Sequence, residues 1–249
     1  MAKVGEVVRV LAVSDEVVDS LQHGVADELA PDLIIAAGDL PFDYLEKLMI
    51  RFEAPCVFVP GNHDRDLSGF KRTRSGWTRA GLPTTDPGPP GAVNADGRIV
   101  TVAGLRIAGL GGSIRYNEGP NQYREATQRR RANRLALQRF RYRLTPGAGI
   151  DILLTHSPPR GIGDAEDGPH RGFRCYLPLI YRLRPQLLVH GHIHPHGQTP
   201  MDHTILHKKR KLGGTLRSST VAMNTVGYSV FDIEPGGGEI VIQRRRHGS

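Results

Sequence analysis

The chain has 249 residues and a formal net charge of +8; 39% of its residues are hydrophobic and 23% are charged. These fractions are typical of a soluble globular protein that can bury a substantial core. No apolar run approaches the roughly 18 to 20 residues that a membrane-spanning helix needs, and two cysteines do not make a disulfide framework. Because the first residues lack a signal-peptide pattern, we expect a cytoplasmic protein without membrane contact.

The positive charge by itself does not decide the function. The 33 Lys+Arg against 25 Asp+Glu would attract polyanions and steer phosphate-bearing substrates to the surface. A bias towards arginine in the coding sequence explains the same excess equally well. Nucleic-acid binding is therefore a hypothesis that rests on charge alone.

The first quarter of the chain alternates between strand and helix patterns. Apolar runs at residues 7–13, 33–37 and 56–59 predict buried strands, and helical spacing of apolar residues predicts helices over 18–30 and 44–52. Strands that alternate with helices favour a parallel sheet with covering helices.

The rest of the chain adds further elements. Residues 82–97 are rich in Pro, Gly and Asp and predict an irregular connection, followed by a two-stranded hairpin over 99–110. Residues 121–142 predict a long surface helix with arginines on its outer face. The remaining predictions are buried strands at 150–154 and 186–189, a helix at 176–183, and short strands at 203–207, 218–223, 227–233 and 239–243. We expect these last four strands to form an antiparallel part of a second sheet.

Five of the apolar runs end in residue types that bind metals. These residues are Asp15, Asp39, Asn62 with His63, His156, and His192 with His194. In an open α/β sheet, sites form outside the carboxyl ends of the strands, so distant parts of the sequence would meet at one edge. Helix capping explains an Asp after a strand, but it does not explain the four histidines and the asparagine. The sequence therefore predicts a shared metal site.

The type of ligand narrows the choice of metal. The set has oxygen and imidazole ligands without thiolate, which suits Mn, Fe, Zn or Ni better than Ca or Mg. His192 and His194 are two residues apart, so a turned backbone would aim each at its own ion. This spacing favours two ions that share one carboxylate.

The order of these motifs resembles that of the calcineurin-like metallophosphoesterase family. The matching blocks are Ser14-Asp15, Gly38-Asp39, Gly61-Asn62-His63-Asp64, Thr155-His156 and Gly191-His192-Ile193-His194. The resemblance implies an α/β fold, a four-layer α/β/β/α sandwich of two mixed sheets flanked by helices, in a single domain over residues 1–249. It also implies a phosphoester hydrolase that uses a water molecule activated by two divalent metal ions, manganese among the candidates.

The resemblance further assigns roles to these residues. Asp15, Asp39 and His194 would hold one ion. Asp39, Asn62, His156 and His192 would hold the other, with Asp39 bridging the two. His63 would stabilise the transition state or protonate the leaving oxygen, and Asp64 would orient the His63 ring.

The chain departs from the family pattern at Val17. The first block of the family is D-x-H, and Val17 occupies the histidine position. Glu16 follows Asp15 directly, so along a strand it would point to the opposite face. We therefore expect an incomplete first site that is weak, filled by extra water or occupied only with substrate. Glu16 or His23 in place of the missing histidine is the alternative.

Substrate contacts are predicted in two loops. Arg115, Tyr116 and Asn117 follow a glycine turn, with Asn121 a few residues on, and His170 and Arg171 lie in a glycine-rich loop. Arginine is a natural partner of phosphate oxygens, and a phosphodiester or nucleotide substrate is favoured over a monoester. The alternative function is a non-catalytic scaffold for protein interactions on the same fold, which the loss of a ligand at Val17 would suit. The sequence does not indicate an oligomeric state.

Overall fold

The computed structural model describes residues 6–23, 28–142, 149–196, 200–211, 214–238 and 240–246. Two six-stranded sheets organise these residues. The first sheet contains β1 Val8–Ser14, β2 Leu33–Ala36, β3 Cys56–Phe58, β7 Val93–Asn94, β16 Gly227–Ile233 and β17 Val241–Arg246. The second contains β8 Ile99–Val102, β9 Leu105–Leu110, β12 Ile152–Thr155, β13 Leu187–His190, β14 His203–Lys211 and β15 Gly214–Asn224.

Three α-helices and two small sheets complete the described architecture. The helices are α1 Phe42–Phe52, α2 Glu125–Gln138 and α3 Tyr176–Leu183. A three-stranded antiparallel sheet contains β4 Phe70–Thr73, β5 Gly76–Arg79 and β6 Leu82–Thr84, and a parallel pair contains β10 Ser113–Ile114 and β11 Gln122–Tyr123.

Strand order brings the ends of several parallel strands to one edge of each sheet. The first sheet has the order β17-β16-β1-β2-β3-β7, and β1, β2, β3 and β7 run parallel. The second has the order β14-β15-β13-β12-β9-β8, and β15, β13, β12 and β9 run parallel. Both sheets are mixed, because β16, β17, β14 and β8 pair antiparallel with their neighbours.

Burial explains why the central strands are apolar throughout. Every residue of β2, β3, β12 and β13 is buried, so both faces of each strand need apolar side chains. Side chains alternate between two clusters with period two. Val10 of β1 packs in a core that also contains Ile152 and Val189 of the second sheet, whereas the neighbouring Leu11 packs with Leu45 of α1.

A third cluster joins the outer face of the second sheet to α2 and α3 through Leu135, Leu179 and Leu188. The expected mixed α/β class is thus confirmed. The four-layer order stays a prediction, and the composition of the three clusters supports it. Among the described helices, none is long and apolar enough to cross a membrane.

Several sequence predictions need correction. The helix over 18–30 is wrong where the structure describes that stretch, which holds a 3-10 turn, Asp19–Leu21; residues 24–27 lie outside the described residues. Val18, Leu21 and Leu29 are still buried against the α1 side of the first sheet. The spacing of the apolar residues therefore indicates correctly which side chains are buried. A 3-10 turn buries them as well as a helix would.

Other elements differ in extent or in partner. The long helix starts at Glu125 rather than at residue 121, because residues 122–123 pair as β11. Of the last four strands, β14 and β15 join the second sheet, but β16 and β17 join the first, where β16 pairs with β1. The prediction that all four belong to the second sheet is therefore wrong. Residue 239, the start of the last predicted strand, lies outside the described residues.

Candidate metal centre

The strands of both sheets deliver the predicted ligands through sharply turned backbone. Asp15, Asp39 and His192 have φ values of 61°, 56° and 68°. Left-handed backbone is unusual outside glycine, and here it occurs where the chain leaves β1, β2 and β13. These turns aim the side chains into the edge between the two sheets.

Four predicted ligands come together at this edge. Ligand atoms of Asp39, His156 and His192 all lie within 4.8 Å of one another. His156 Nε2 lies 3.2 Å from Asp39 Oδ2 and 2.9 Å from Asn62 Oδ1. The set is the one that the family resemblance assigns to the second ion, and its members come from both sheets.

Backbone carbonyls fix which ring nitrogens face the site. His156 Nδ1 donates to the carbonyl of Ala37 at 2.7 Å, so Nε2 is the atom directed at Asp39 and Asn62. His192 Nε2 donates to the carbonyl of Pro169 at 2.9 Å, which leaves Nδ1 with a free lone pair. Hydrogen bonds of this kind orient metal-binding imidazoles and fix their tautomers.

The electrostatics of the site favour a bound cation. Burial alone would lower the pKa of His156, but the carboxylates of Asp39 and Asp15 raise it to about 9. Burial would raise the pKa of Asp39, yet the charge and hydrogen bond of His156 hold it below its ordinary value. Burial and the nearby His156 lower the pKa of His192 to about 3, so its ring is neutral, as a ligand must be. This donor set therefore fits a divalent metal ion.

The Gly61-Asn62-His63-Asp64 turn is locked to the Asp39 loop. Asp64 Oδ2 accepts hydrogen bonds from the N–H groups of Asp39 at 3.0 Å and Gly61 at 2.7 Å, and Asp39 Oδ1 accepts one from the N–H of His63 at 2.7 Å. Burial raises the pKa of Asp64. The described hydrogen bonds of the Asp64 carboxylate thus go to backbone, and its orientation of the His63 ring stays a prediction.

The His63 side chain is exposed at an open cleft. This cleft has a volume of about 370 Å³ and is lined by residues 39–42 and 63–65. The candidate metal-binding set, which consists of Asp39, Asn62, His156 and His192, meets this cleft at Asp39. The imidazole of His63 is therefore accessible to a substrate and remains outside the cluster of ligand atoms.

The ligands expected for the first ion are less tightly gathered. Asp15 Oδ2 accepts the N–H of His192 at 2.9 Å, and burial raises the pKa of Asp15. His194 is 42% exposed, and its Nδ1 lies 3.3 Å from Glu16 Oε1. Within the described residues, Asp15 and His194 do not join the set found within 4.8 Å.

The expected direction of Glu16 is wrong. The sequence predicts that Glu16 points away from the site, but its carboxylate contacts His194, whereas Val17 is 46% exposed. The positive φ of Asp15 ends the strand alternation at that residue. His23, the other candidate replacement, lies exposed after the 3-10 turn.

The predicted substrate loops border the metal-binding residues on two sides. Arg115 and Asn117 are exposed, and the hydroxyl of Tyr116 between them accepts a hydrogen bond from Asn62 Nδ2 at 3.2 Å. The ring of His170 lies 5.4 Å from the ring of His192, and its Nδ1 lies 2.7 Å from Asp167 Oδ2.

Arg171 is exposed and donates to the carbonyl of Glu166 at 3.1 Å. Whether these loops contact a substrate stays a prediction, but both lie beside the metal-binding set.

Sequence reasoning missed several supporting groups. The carbonyls of Ala37 and Pro169 orient the two histidines, and a backbone carbonyl leaves no residue-type signal. Asn121 Nδ2 donates to the carbonyls of Gly61 at 2.9 Å and Asp64 at 3.0 Å, so it braces the turn from outside. The sequence predicted Asn121 as a substrate contact because it follows the Arg115–Asn117 loop. It gave no signal that Asn121 supports the Gly61–Asp64 turn.

Comparison with known proteins agrees with this geometry. The chain belongs to the calcineurin-like phosphoesterase family, whose model matches residues 11–196. The family as a whole hydrolyses phosphoesters with divalent metal ions, and the cluster of Asp39, His156 and His192 is a candidate site for such an ion.

Two individual similarities add to this. A segment of 49 residues is 47% identical to the UPF0046 protein T07D4.2 of Caenorhabditis elegans, and it covers 19% of this chain and 12% of that protein's length. A solved crystal structure aligns over 97% of this chain and 100% of its own with a TM-score of 0.57 and 16% identity. The second similarity shows the fold.

Proposed function

We propose that this chain is a metal-dependent phosphoester hydrolase, folded as one domain, that acts on a phosphodiester or nucleotide. The observation that carries the proposal is the convergence of Asp39, Asn62, His156 and His192 from both sheets, with ligand atoms of the three ionisable members within 4.8 Å. Neutral His192, ionised Asp39 and the amide oxygen of Asn62 are donors that Mn, Fe, Zn or Ni accept.

The residues would divide into two ion sites. Asp39, Asn62, His156 and His192 would hold one ion, and Asp15 and His194 would join Asp39 for the other. Divalent ions at such a site lower the pKa of water and neutralise charge on a phosphoryl group. No thiolate contributes to the set, so the ions would not be enclosed by four sulfur ligands as in a structural zinc site. Substrate oxygens could therefore replace bound water on the ions.

The remaining residues bind and orient the substrate. The exposed His63 imidazole would give a proton to the leaving oxygen, while Asp39 Oδ1 accepts the backbone N–H of His63. Arg115 with Asn117, and His170 with Arg171, offer hydrogen-bond donors on two sides of the metal-binding set. Because Tyr116 contacts Asn62 and His170 lies beside His192, the two loops would contact a substrate that extends in two directions from phosphorus, which favours a diester over a monoester.

The test compares a chromogenic phosphodiester with a phosphomonoester in the presence of added Mn²⁺, Ni²⁺, Zn²⁺ or Mg²⁺. We expect metal-dependent hydrolysis with a higher kcat/KM for the diester, and loss of both bound metal and activity in His192→Ala. The exposed His23→Ala serves as the matched control and should retain both. Absence of hydrolysis with every metal, together with absence of bound metal, would overturn the proposal. A higher kcat/KM for the monoester would overturn the substrate assignment.

The exposed Val17 favours a second candidate function, a non-catalytic scaffold for protein interactions. A scaffold has no need for a neutral His192 beside an ionised Asp39, and this electrostatic arrangement supports the hydrolase. The same assay separates the two functions, since a scaffold shows no turnover even when loaded with metal.

A further inference from the structure

The small sheet of β4, β5 and β6 carries a concentrated positive charge. Residues 67–85 contain four cations and no Asp or Glu, so these 19 residues hold a net charge of +4, half of that of the whole chain. The cations are Lys71, Arg72, Arg74 and Arg79, and all four are exposed. Within the part of the chain that the structure describes, none of them forms an ion pair. A surface with charge of one sign attracts a polyanion.

The strand register places aromatic residues and arginines on the same face of this sheet. Arg72 lies opposite Trp77, and Arg79 lies opposite both Phe70 and Leu82. Directly opposite residues of antiparallel strands point to one face, and alternate residues along a strand share that face. One face therefore contains these five side chains, and we call it the aromatic face.

The aromatic face is separate from the hydrophobic core. Phe70 and Trp77 are only partly buried and Leu82 is 71% exposed, and among the described contacts none of the three belongs to a core cluster. The guanidinium of Arg79 lies 4.8 Å from the centre of the Phe70 ring, so the cation is stacked on the aromatic side chain. Large apolar side chains that stay accessible beside cations mark a binding surface.

Single-stranded nucleic acid is the polyanion that fits this face best. Unpaired bases stack on aromatic rings and guanidinium planes, and phosphate oxygens pair with arginines. A duplex hides the faces of its bases, so it would use the charge but not the rings. Amphipathic helices that lie on membranes separate cations from apolar side chains, whereas here the two kinds of side chain alternate on one face.

The small sheet begins close to the cleft of the candidate metal centre. Arg65 lines the cleft, and β4 begins at Phe70, five residues later. Five residues of extended chain span at most about 18 Å. A nucleic-acid strand on the aromatic face would therefore lie near the cleft, and its backbone consists of phosphodiesters, the bond on which the proposed hydrolase acts.

We propose that the aromatic face binds single-stranded nucleic acid and holds its phosphodiester backbone near the cleft. The link to hydrolysis rests on the proposed function, whereas the binding does not. Bases stack on Trp77 and on the Phe70–Arg79 pair, and Arg72 contacts a phosphate. Because every base offers a face for stacking, the surface distinguishes a single strand from a duplex rather than one sequence from another.

The test uses the only tryptophan of the chain as a probe. Because the sequence contains one Trp, the emission of Trp77 reports on the aromatic face alone. The full chain is titrated in EDTA, which prevents metal-dependent hydrolysis, with oligothymidylate of about 16 nucleotides, a length that single-strand-binding domains cover. We expect quenching of the Trp77 fluorescence, and a higher affinity for the single strand than for a duplex of the same length, measured by the anisotropy of a labelled oligonucleotide.

Substitutions on the two faces of the sheet locate the binding surface. Trp77→Ala should weaken binding about 5- to 150-fold, and Trp77→Phe, which retains a ring, should restore most of that loss. Arg72→Ala should reduce the slope of the logarithm of affinity against the logarithm of salt concentration by about 0.7, the share of one phosphate contact. Lys71→Ala removes a charge from the opposite face of the same strand. It is the matched control and should keep the slope.

The outcomes separate this inference from the proposed function. Binding with unchanged Trp77 emission, or with equal affinity for single strand and duplex, would show attraction by charge alone and overturn the inference. Binding to vesicles of phosphatidylserine and phosphatidylcholine without binding to the oligonucleotide would assign the face to a membrane and also overturn it. Hydrolysis of the chromogenic diester without oligonucleotide binding would leave only the proposed function. Oligonucleotide binding without hydrolysis under any metal would leave only the binding surface.

Discussion

His63 and Asp64 are neighbours with different environments. The backbone N–H of His63 donates to Asp39 Oδ1, and the His63 ring is exposed. The Asp64 carboxylate is buried and accepts two backbone N–H groups. The ring of His63 therefore contributes nothing to the described hydrogen bonds that hold the turn. The proposed acid and the carboxylate that holds the turn are thus the side chains of two consecutive residues.

Replacing the ring should separate turnover from metal binding. We expect His63→Asn to lower kcat by about 10²- to 10⁴-fold, the usual contribution of a positioned acid, with unchanged metal content by elemental analysis. Asp64→Ala is the comparison. It leaves the buried N–H of Gly61 and the partly buried N–H of Asp39 unpaired, which costs about 1 to 3 kcal/mol for a buried group, and it should reduce metal content as well. Loss of metal in His63→Asn would contradict the assigned role.

The protonation of His156 predicts how metal binding depends on pH. Its pKa in the metal-free protein is raised from 6.5 to about 9, so its pairing with Asp39 stabilises the fold fully below 6.5, and that contribution is lost as pH rises through 9. A metal ion takes the neutral ring, so binding in this interval releases a proton.

We therefore expect the apparent metal affinity to rise about tenfold per pH unit across the interval. Calorimetry in two buffers with different protonation enthalpies measures the released proton. Equal binding enthalpies in the two buffers would show that the site binds without deprotonation. His192, with a pKa near 3, adds no proton to this count.

Glycines at the strand ends set the distance between elements. An added Cβ at Gly191 would overlap Ser14 and Asp15 of the β1 end, whereas Gly168 has open space around the corresponding position. Gly191→Ala should push β13 from β1, reduce stability by about 1 to 3 kcal/mol as overpacking does, and weaken metal binding.

Gly168→Ala is the matched control and should leave stability and binding unchanged. Chemical denaturation measures the free energy of unfolding, and titration calorimetry measures the affinity. Unchanged values in Gly191→Ala would mean that the loop can move away from β1 without cost to the site.

Elements were predictable from sequence where both faces are buried. Continuous apolar runs located β1, β2, β3, β12 and β13, and helical spacing located α1. The sheet of β4, β5 and β6 was missed because its residues are mostly exposed and carry no apolar alternation. In α2, arginines on the outer face were expected, but Arg131 turns inward and pairs with Asp96 at 2.5 Å. Asp96 lies 35 residues away in the sequence, so the periodicity of the helix does not indicate this pair.

At the scale of the whole molecule, the sequence predicted which strand ends meet at the candidate metal centre, but it did not predict how all strands are distributed between the two sheets. Metal-binding residue types are specific in chemistry and order, so their convergence could be expected from residues alone. Pairing of β16 with β1, across more than 200 residues, depends on complementary surfaces that no local pattern records. The direction of Glu16 likewise depends on one left-handed residue, Asp15, which a strand pattern does not reveal.

The contact between Asp39 and His156 couples metal binding to the stability of the fold. Asp39 follows β2 of the first sheet and His156 follows β12 of the second, so an ion bound between them would cross-link two halves of the core. Heat must then remove the ion before the sheets can part. A hundredfold excess of metal over its Kd adds about 2.7 kcal/mol to the free energy of unfolding.

We expect Tm to rise with added metal and to fall with a chelator, without any substrate present. His156→Ala should abolish this response, and His23→Ala should retain it. If added metal does not change the Tm of the wild-type protein, no ion binds between Asp39 of the first sheet and His156 of the second. The melting temperature of this protein thus measures metal binding without the need for a substrate.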